Sequence, residues 1–461
     1  MSVVQRHMGR KPVPHRVALL GDVCKTTSGG TPSRSNSSYF EGDIPWVKSG
    51  ELPDGPVAEI QESISEEALN NSSAKLFPAG TLLIALYGAT VGKLGVLTKA
   101  AATNQAVCAV FPSAALEQKY LFWFLRFKRR ALIESAIGGA QPNISQGILR
   151  NLEVPLPEIA EQQEVVAEIE KQFSRLDEAI ANLKRVKANL KRYKAAVLKA
   201  AVEGRLVPTE AELARKDGHD YETGEQLLQR ILETRRREWK GKGKYKEPSS
   251  NAEATVTATP EGWTIATIEQ LSSIVEYGTS AKTTENDVGV PVLRMGNIFE
   301  GSFDFSKLKY LPSTHAEFPK LLLNHGDLLF NRTNSPELVG KSAVFNEQIR
   351  SYSFASYLIR ARFVEPVAPD FVAAYINSSF GRAWVKSVVT QQVGQANVNG
   401  SKLQALTVPL PPALEQQRIA AEIDRRLSLI SSLEAQVASN LRRAERLRSS
   451  VLASAFAGSN N

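Results

Sequence analysis

Two short stretches of this chain place a lysine directly after a glycine, as a phosphate-binding loop does: Val91-Gly92-Lys93-Leu94 and Val339-Gly340-Lys341-Ser342. Neither completes the loop. The motif needs another glycine five residues earlier and a hydroxyl residue after the lysine. Ser335 stands where the second stretch needs that glycine, and Leu94 stands where the first needs Ser or Thr. A glycine-rich dinucleotide fingerprint is missing, as is the Asn/Asp-Pro-Pro-aromatic tetrapeptide of amino-methyltransferases. His7, His15, His219, His315 and His325 are scattered without metal-ligand spacing. Cys24 and Cys108 have no partner nearby in sequence, and Cys108 falls in an apolar run that suits a core strand. The residues point away from a catalytic site and from a bound cofactor or metal in this chain.

What remains is a set of planar, polar and cationic side chains at expected loop–strand junctions. The first half offers Lys48, Ser49, Tyr87, Lys93, Asn104 and Gln105; the second offers Arg294, Asn297, Asn331, Arg332, Asn334 and Lys341. Arg pairs with guanine, and Asn or Gln with adenine, in the DNA major groove, while Lys mostly serves phosphates. Each residue also has a plainer reading as part of a turn. Asn331 to Asn334 in particular could be a tight turn whose Asn side chains bond their own backbone.

The composition fits that chemistry. A formal net charge of +8 makes an acidic partner plausible. Two cysteines suit a reducing cytosol. No run of 18 apolar residues occurs and the N-terminus lacks an apolar signal core, so a cytoplasmic protein without a membrane span is expected.

The elements that must position these residues are duplicated. Residues 143–204 align without a gap on 397–458, with 20 identities in 62 positions. The densest part reads VPLPEIAEQQEVVAEIE at 154–170 and VPLPPALEQQRIAAEID at 408–424. Each copy then runs on without Gly or Pro as a long heptad-patterned helix. Its seam is Ile169, Leu176, Leu183, Leu190 and Val197 in one copy and Ile423, Ile430, Val437, Ala444 and Val451 in the other. Ala179, Val186, Tyr193 and Ala200 are expected to fill the companion row, which is less ideal in the second copy at Arg426 and Asn440. Pairing of the two helices is the simplest outcome; packing of each on its own globular segment or on another subunit is the alternative.

The globular segments before each helix repeat more weakly. IPWVKSGEL at 44–52 matches VPVLRMGNI at 290–298, which aligns Lys48 with Arg294. Strands are expected at 44–47, 81–87, 94–98 and 106–111, and a helix over 120–137. Between the copies, 221–239 reads as a charged amphipathic helix and 240–259 as linker. The cations Arg235, Arg236, Arg237, Lys240, Lys242, Lys244 and Lys246 could touch phosphate or be a solvated helix end. The segments are set at 1–153, 154–204, 205–260, 261–407 and 408–461.

Taken in order, PEGW at 260–263, GDLLFNRTNSPELVGKS at 326–342, the two VPLP…EQQ motifs, AVLKAAVEGRL at 196–206 and QLLQRILETRRREW at 226–239 resemble the DNA specificity subunit of Type I restriction-modification enzymes. The second copy's PEGW has no clear counterpart before Val17. The resemblance implies two α/β (α+β) target recognition domains alternating with two long helices. Those helices would form an antiparallel coiled coil that acts as a spacer, with internal pseudo-twofold symmetry. It implies a non-catalytic chain that reads a bipartite, asymmetric site on double-stranded DNA. Two methyltransferase subunits and two motor-nuclease subunits would be its partners, in restriction and adenine modification. S-adenosylmethionine would belong to the methyltransferase, and ATP with Mg2+ to the nuclease. An orphan DNA-binding subunit guiding a methyltransferase without a nuclease, or a coiled-coil scaffold, are the alternatives.

Overall fold

The structure is a computed structural model that describes residues 16–135, 143–241, 243–250, 259–335, 338–347, 349–392 and 395–456. Lys242 and 251–258 of the expected linker, and the last residues of the helix expected over 120–137, lie outside them. The chain divides into two compact units, residues 1–184 with 438–461, and residues 185–437.

Unit 1 is built on a five-stranded sheet. Its strands include β1 (Cys24–Ser28), β3 (Leu82–Ala85), β4 (Leu94–Leu97) and β5 (Val107–Pro112), in the order β1-β5-β3-β4 with Gly55–Val57 at the far edge. The strand β2 (Ile44–Val47) pairs outside that sheet. The central strands are buried on both faces, which is why Leu82-Leu83-Ile84-Ala85 reads as an unbroken apolar run. Leu82 and Ile84 join the core under helix α1 (Gln118–Ser135); Leu83 and Ala85 join a second core with Val47 and Val57. The first long helix, α2, spans Ile159–Val202 over 44 residues, about 66 Å at 1.5 Å each. It ends at Gly204, whose φ of +68° lets the Arg205 amide reach back to the Ala200 carbonyl at 2.8 Å.

Unit 2 repeats the frame. Helix α3 (Gly224–Arg237) packs Leu227 and Ile231 into its core, as the amphipathic pattern of 221–239 requires. A further helix, Glu210–Asp217, carries a Thr209–Glu212 capping box. The sheet is β6 (Ser272–Tyr277), β10 (Leu358–Phe363), β8 (Asp327–Asn331) and β9 (Ser342–Phe345), in that spatial order. The strand β7 (Val290–Leu293) stands in the place of β2. Leu328 and Phe330 face the core with helix α4 (Pro369–Asn377), and Leu329 faces the other with Leu293. One difference lies inside this sheet. Asp327 is buried with Arg362, which it bonds at 2.7 Å through both carboxylate oxygens, and with the buried Arg360. Register puts Thr81, Ala109 and Phe111 at these three places in unit 1.

The second long helix, α5 (Ala413–Phe456), matches α2 in length. Within unit 1, Phe173 of α2 shares a core with Leu452 and Phe456 of α5, and Asp177 pairs with Arg448. Within unit 2, Val197 and Leu198 share a core with Ile419 and Ile423. Within unit 1 the start of α2 meets the end of α5, and within unit 2 the end of α2 meets the start of α5, so the pairing is antiparallel. Ile169, Leu190, Val197, Ile423, Ile430, Val437 and Ala444 are buried; Leu176, Leu183 and Val451 are half-buried.

The companion row departs from expectation. Ala179, Val186 and Tyr193 are exposed, and only Ala200 is half-buried. Each helix buries one face, shared between its partner helix and the globular body. Val197 and Ala201, for example, pack with Trp263 and Phe371 as well as with Ile423. The next row therefore turns to solvent.

The VPLP…EQQ motif has a physical explanation. Gln162 Nε2 donates to the Pro157 carbonyl at 2.8 Å, and its Oε1 accepts from the Glu117 amide at 2.8 Å. Gln416 does the same with the Pro411 carbonyl at 2.8 Å and the Ala368 amide at 2.9 Å. Both glutamines are buried. Each pins the start of a long helix to the loop that precedes the domain's own helix.

Candidate nucleic-acid interface

Hydrogen bonds place the two frames in residue-by-residue register. The Ala85 amide donates to the Lys93 carbonyl at 2.8 Å, and the Asn331 amide to the Lys341 carbonyl at 2.9 Å. Leu86 N bonds the Ala106 carbonyl at 2.8 Å, and Arg332 N the Tyr357 carbonyl at 3.1 Å. The Leu86 carbonyl accepts from Ile144, and the Arg332 carbonyl from Val398, at 2.7 and 2.9 Å. Thus Asn331 corresponds to Ala85, Arg332 to Leu86, Thr333 to Tyr87, Asn334 to Gly88 and Lys341 to Lys93.

This register explains the glycine–lysine stretches. Gly92 and Gly340 have φ of +77° and +82° and sit in the same tight connection, their amides bonding Ala85 and Asn331 carbonyls. They are turn glycines.

In unit 1, Lys48 is half-buried and paired with Glu62 at 2.6 Å. The side chains of Lys48 and Arg34 hold the Glu62 carboxyl below its usual range. Ser49 accepts from Thr90 at 3.0 Å through its carbonyl. Tyr87 and Lys93 are half-buried, Tyr87 against the core. Asn104 and the exposed Gln105 lie in the connection before β5, where Gln105 accepts from the Thr31 hydroxyl. Oδ1 of Asn104 and Oγ1 of the adjacent Thr103 are buried without a hydrogen-bond partner among the described residues.

In unit 2, Arg294 and Lys48 indeed share a position: each precedes a short 3-10 turn after β7 or β2. Asn297 is not a surface residue. It is buried, accepts from the Arg294 amide at 2.9 Å and donates to the Asp304 and Lys307 carbonyls at 2.8 and 3.2 Å. All its capacity goes to closing that loop. Asn331 is also buried, with Oδ1 unpartnered. The stretch 331–334 is not a tight turn: Asn331 ends β8 and Thr333–Asn334 is a short strand paired with Ala396 and Asn397, although Asn334 does accept from the Ser335 amide at 2.8 Å. Lys341 is half-buried, its Nζ 5.8 Å from the ring centre of the exposed Phe299.

Arg332 is different. Its guanidinium carbon lies 4.8 Å from the ring centre of Tyr277. Nη2 reaches Asn397 Oδ1 at 3.2 Å and Nη1 the Ser356 carbonyl at 3.4 Å, both long bonds, while Nε has no partner among the described residues. The Tyr277 hydroxyl accepts from the Gly400 amide at 2.6 Å. Strand register matches Tyr277 to Ser28, and the helical repeat matches Gly400 to Gln146. In unit 1 those two residues also meet, Gln146 donating to Ser28 at 2.7 Å. A long donor on a short acceptor is replaced by a backbone donor on a long one. Sequence reasoning missed Tyr277 because β6 absorbs one extra residue as a bulge between Ser272 and Ile274, which shifts the frame.

The central basic cluster supports the plainer reading. Arg235 bonds the Glu269 carbonyl, Arg236 pairs with Glu247, and Arg237 lies 3.9 Å from Glu238.

A family model for the Type I restriction modification DNA specificity domain matches residues 12–192 and 260–442, most of the chain in two copies. The chain belongs to that family. It is 30% identical over 192 residues to the EcoKI specificity subunit of Escherichia coli K12, covering 41% of each. It is 21% identical over 435 residues to the MjaVIII specificity subunit of Methanocaldococcus jannaschii, covering 93% of this chain and 89% of that one. The first curated relatives are matched over about two-fifths of their length. A solved chain from a study of assembly and conformational transition in a type I R-M system superposes with a TM-score of 0.65 at 19% identity, covering 98% of this chain and 99% of that one. The HsdS subunit of Thermoanaerobacter tengcongensis superposes with a TM-score of 0.54 at 20% identity, covering 97% and 98%. Both likenesses concern the fold. Among the described residues, no helix is long and apolar enough to cross a membrane.

Proposed function

We propose that this chain reads a bipartite, asymmetric site on double-stranded DNA and directs partner subunits to it, itself non-catalytic and cytoplasmic. The observation that carries this reading is a shared backbone frame bearing unlike polar groups. Leu86 and Ala85 in unit 1 stand where unit 2 has Arg332 and Asn331, while the unpartnered polar atoms of Thr103 and Asn104 match Phe354 and Ala355. One frame with unlike side chains suits two different half-sites, each of about three to five base pairs, separated by an unread spacer of roughly six to eight. Two methyltransferase subunits would carry S-adenosylmethionine and methylate adenine. Two motor-nuclease subunits would carry ATP and Mg2+.

Methylome sequencing of the source cell, with and without the gene, tests the proposal. An interrupted, non-palindromic motif methylated on adenine should disappear on deletion. A continuous or palindromic motif, or no change, would sink it. Affinity purification of the tagged chain then separates the full system from an orphan methyltransferase guide, which would bring down no nuclease subunit. A scaffold would bring down neither enzyme and would bind no DNA.

A further inference from the structure

We infer that Arg332 reads a guanine in the half-site of unit 2 and that Tyr277 is the residue that positions it. The inference rests on the DNA-specificity reading above and extends it to one base and two side chains.

Contacts to the sugar–phosphate backbone carry no sequence information, whereas base contacts must differ between unlike half-sites. Cations at common frame positions therefore suit phosphates. Lys93 and Lys341 are such a pair, as are Lys48 and Arg294. Arg332 is unshared: unit 1 has the buried Leu86 there. The backbone bonds around the two positions are the same, so the turn does not need an arginine.

The side chain is also under-used where it lies. A guanidinium has five N–H donors. Arg332 spends two on long bonds, and its Nε finds no acceptor among the described residues. An unpartnered Nε is shared with Arg235, Arg294, Arg360, Arg418 and Arg448, but in Arg332 both terminal nitrogens also make only long bonds, at 3.2 and 3.4 Å. The Tyr277 ring lies against the guanidinium, and its own far end is tied to the Gly400 amide. A stacked arginine is held in one plane, and a planar fork matches guanine O6 and N7 bidentately. Arg332 and Tyr277 both retain exposed surface, Tyr277 at 43%. Asn331, buried beside Arg332, also leaves its Oδ1 without a hydrogen-bond partner among the described residues, at a position where unit 1 has Ala85.

The test uses the full chain co-purified with its methyltransferase, on labelled duplexes carrying the mapped motif. Each guanine of the unit 2 half-site is replaced in turn by 7-deazaguanine or adenine. Wild type should lose on the order of 10- to 100-fold in affinity at one guanine. Arg332→Leu, which installs the residue unit 1 tolerates at this place, should bind that duplex and the native one equally while still discriminating at the other bases. Tyr277→Leu should weaken discrimination at the same guanine only, and Tyr277→Phe, which keeps the ring, should retain most of it. Lys341→Ala is the contrasting control, with weaker binding on every duplex and a salt slope reduced by about one. If folded Arg332→Leu discriminates at every guanine as wild type does, the inference is overturned. It is equally overturned if Arg332→Leu behaves like Lys341→Ala. A wild-type complex with no sequence preference would instead defeat the DNA-specificity reading, and this inference with it.

Discussion

Gln162 and Gln416 make the same two hydrogen bonds in two domains. Each donates to a proline carbonyl five residues back and accepts from a backbone amide in the loop ahead of its domain's helix. The pair explains why the repeat is densest here. A side chain that joins two backbone groups at the root of a long helix sets the angle at which the helix leaves its domain.

Replacing either glutamine should therefore be costly without touching DNA. Gln416→Ala leaves the Pro411 carbonyl and the Ala368 amide without their partner, a loss of about 1–3 kcal/mol. Gln162→Ala should cost a similar amount. Urea unfolding measures both. A change under about 0.5 kcal/mol would mean that water replaces the side chain and that the contact does not fix the helix.

The seam and its companion row should separate on mutation. Ile423→Ala removes a buried side chain and should cost about 2–4 kcal/mol. Tyr193→Ala, on the exposed row, should stay within about 0.5 kcal/mol. Equal losses would return Tyr193 to the seam and contradict the one-faced burial of α2.

Much of this was legible in the chain. The apolar runs at 82–85 and 94–97 became strands of one sheet because burial on both faces needs unbroken hydrophobicity, and 44–47 became a strand outside that sheet. The heptads became paired helices of the expected length. The companion row misled because heptad spacing shows which residues could line a seam, not how many faces are covered. The Glu210–Asp217 helix went unread although its Thr-x-x-Glu cap is present at Thr209 and Glu212. At the site, the sequence pointed to Arg332 but also to Asn297, an identical type of side chain to Asn331 in a similar junction. Whether an asparagine closes a loop or faces a ligand depends on carbonyls brought in by tertiary structure, here those of Asp304 and Lys307. Tyr277 was hidden by a bulge that only strand pairing reveals.

The buried charges of unit 2 offer a test by transplantation. Asp327→Ala removes the carboxylate that Arg362 bonds twice, leaves Arg360 with Glu276 and the Lys320 and Leu322 carbonyls, and should cost about 3–5 kcal/mol. The triple variant Asp327→Thr, Arg360→Ala, Arg362→Phe copies the uncharged set that unit 1 carries at these places. It should be less damaging than the single change, because both arginines go with the carboxylate and Glu276, which loses Arg360, keeps Lys320 at 3.5 Å. Urea midpoints at constant slope give the comparison, and a triple variant less stable than Asp327→Ala would show that the two sheets are not interchangeable here.

Glu415 should make unit 2 respond to pH in the direction opposite to most carboxylates. It is fully buried at the root of α5, accepting from the Trp263 indole at 2.9 Å and from the Glu210 amide at 2.9 Å. Burial pushes its carboxyl above the ordinary value of 4.5, against the lowering effect of the Glu210 amide and the Trp263 indole. A carboxyl raised in the folded state binds its proton more tightly there than in the unfolded chain. Its contribution to stability is then fullest at or below pH 4.5, falls as pH rises through the folded value, and stays constant beyond. Glu415→Gln cannot titrate. The melting temperature of wild type minus that of Glu415→Gln should therefore decline from pH 4.5 upward and then level off, whatever constant offset the amide introduces. Asp370, whose carboxyl is also raised by burial and by the neighbouring Asp424, is present in both proteins and cancels in the difference. A difference that is flat, or that grows with pH, would mean that the indole and the amide outweigh the burial and that Glu415 is held as a stabilised carboxylate.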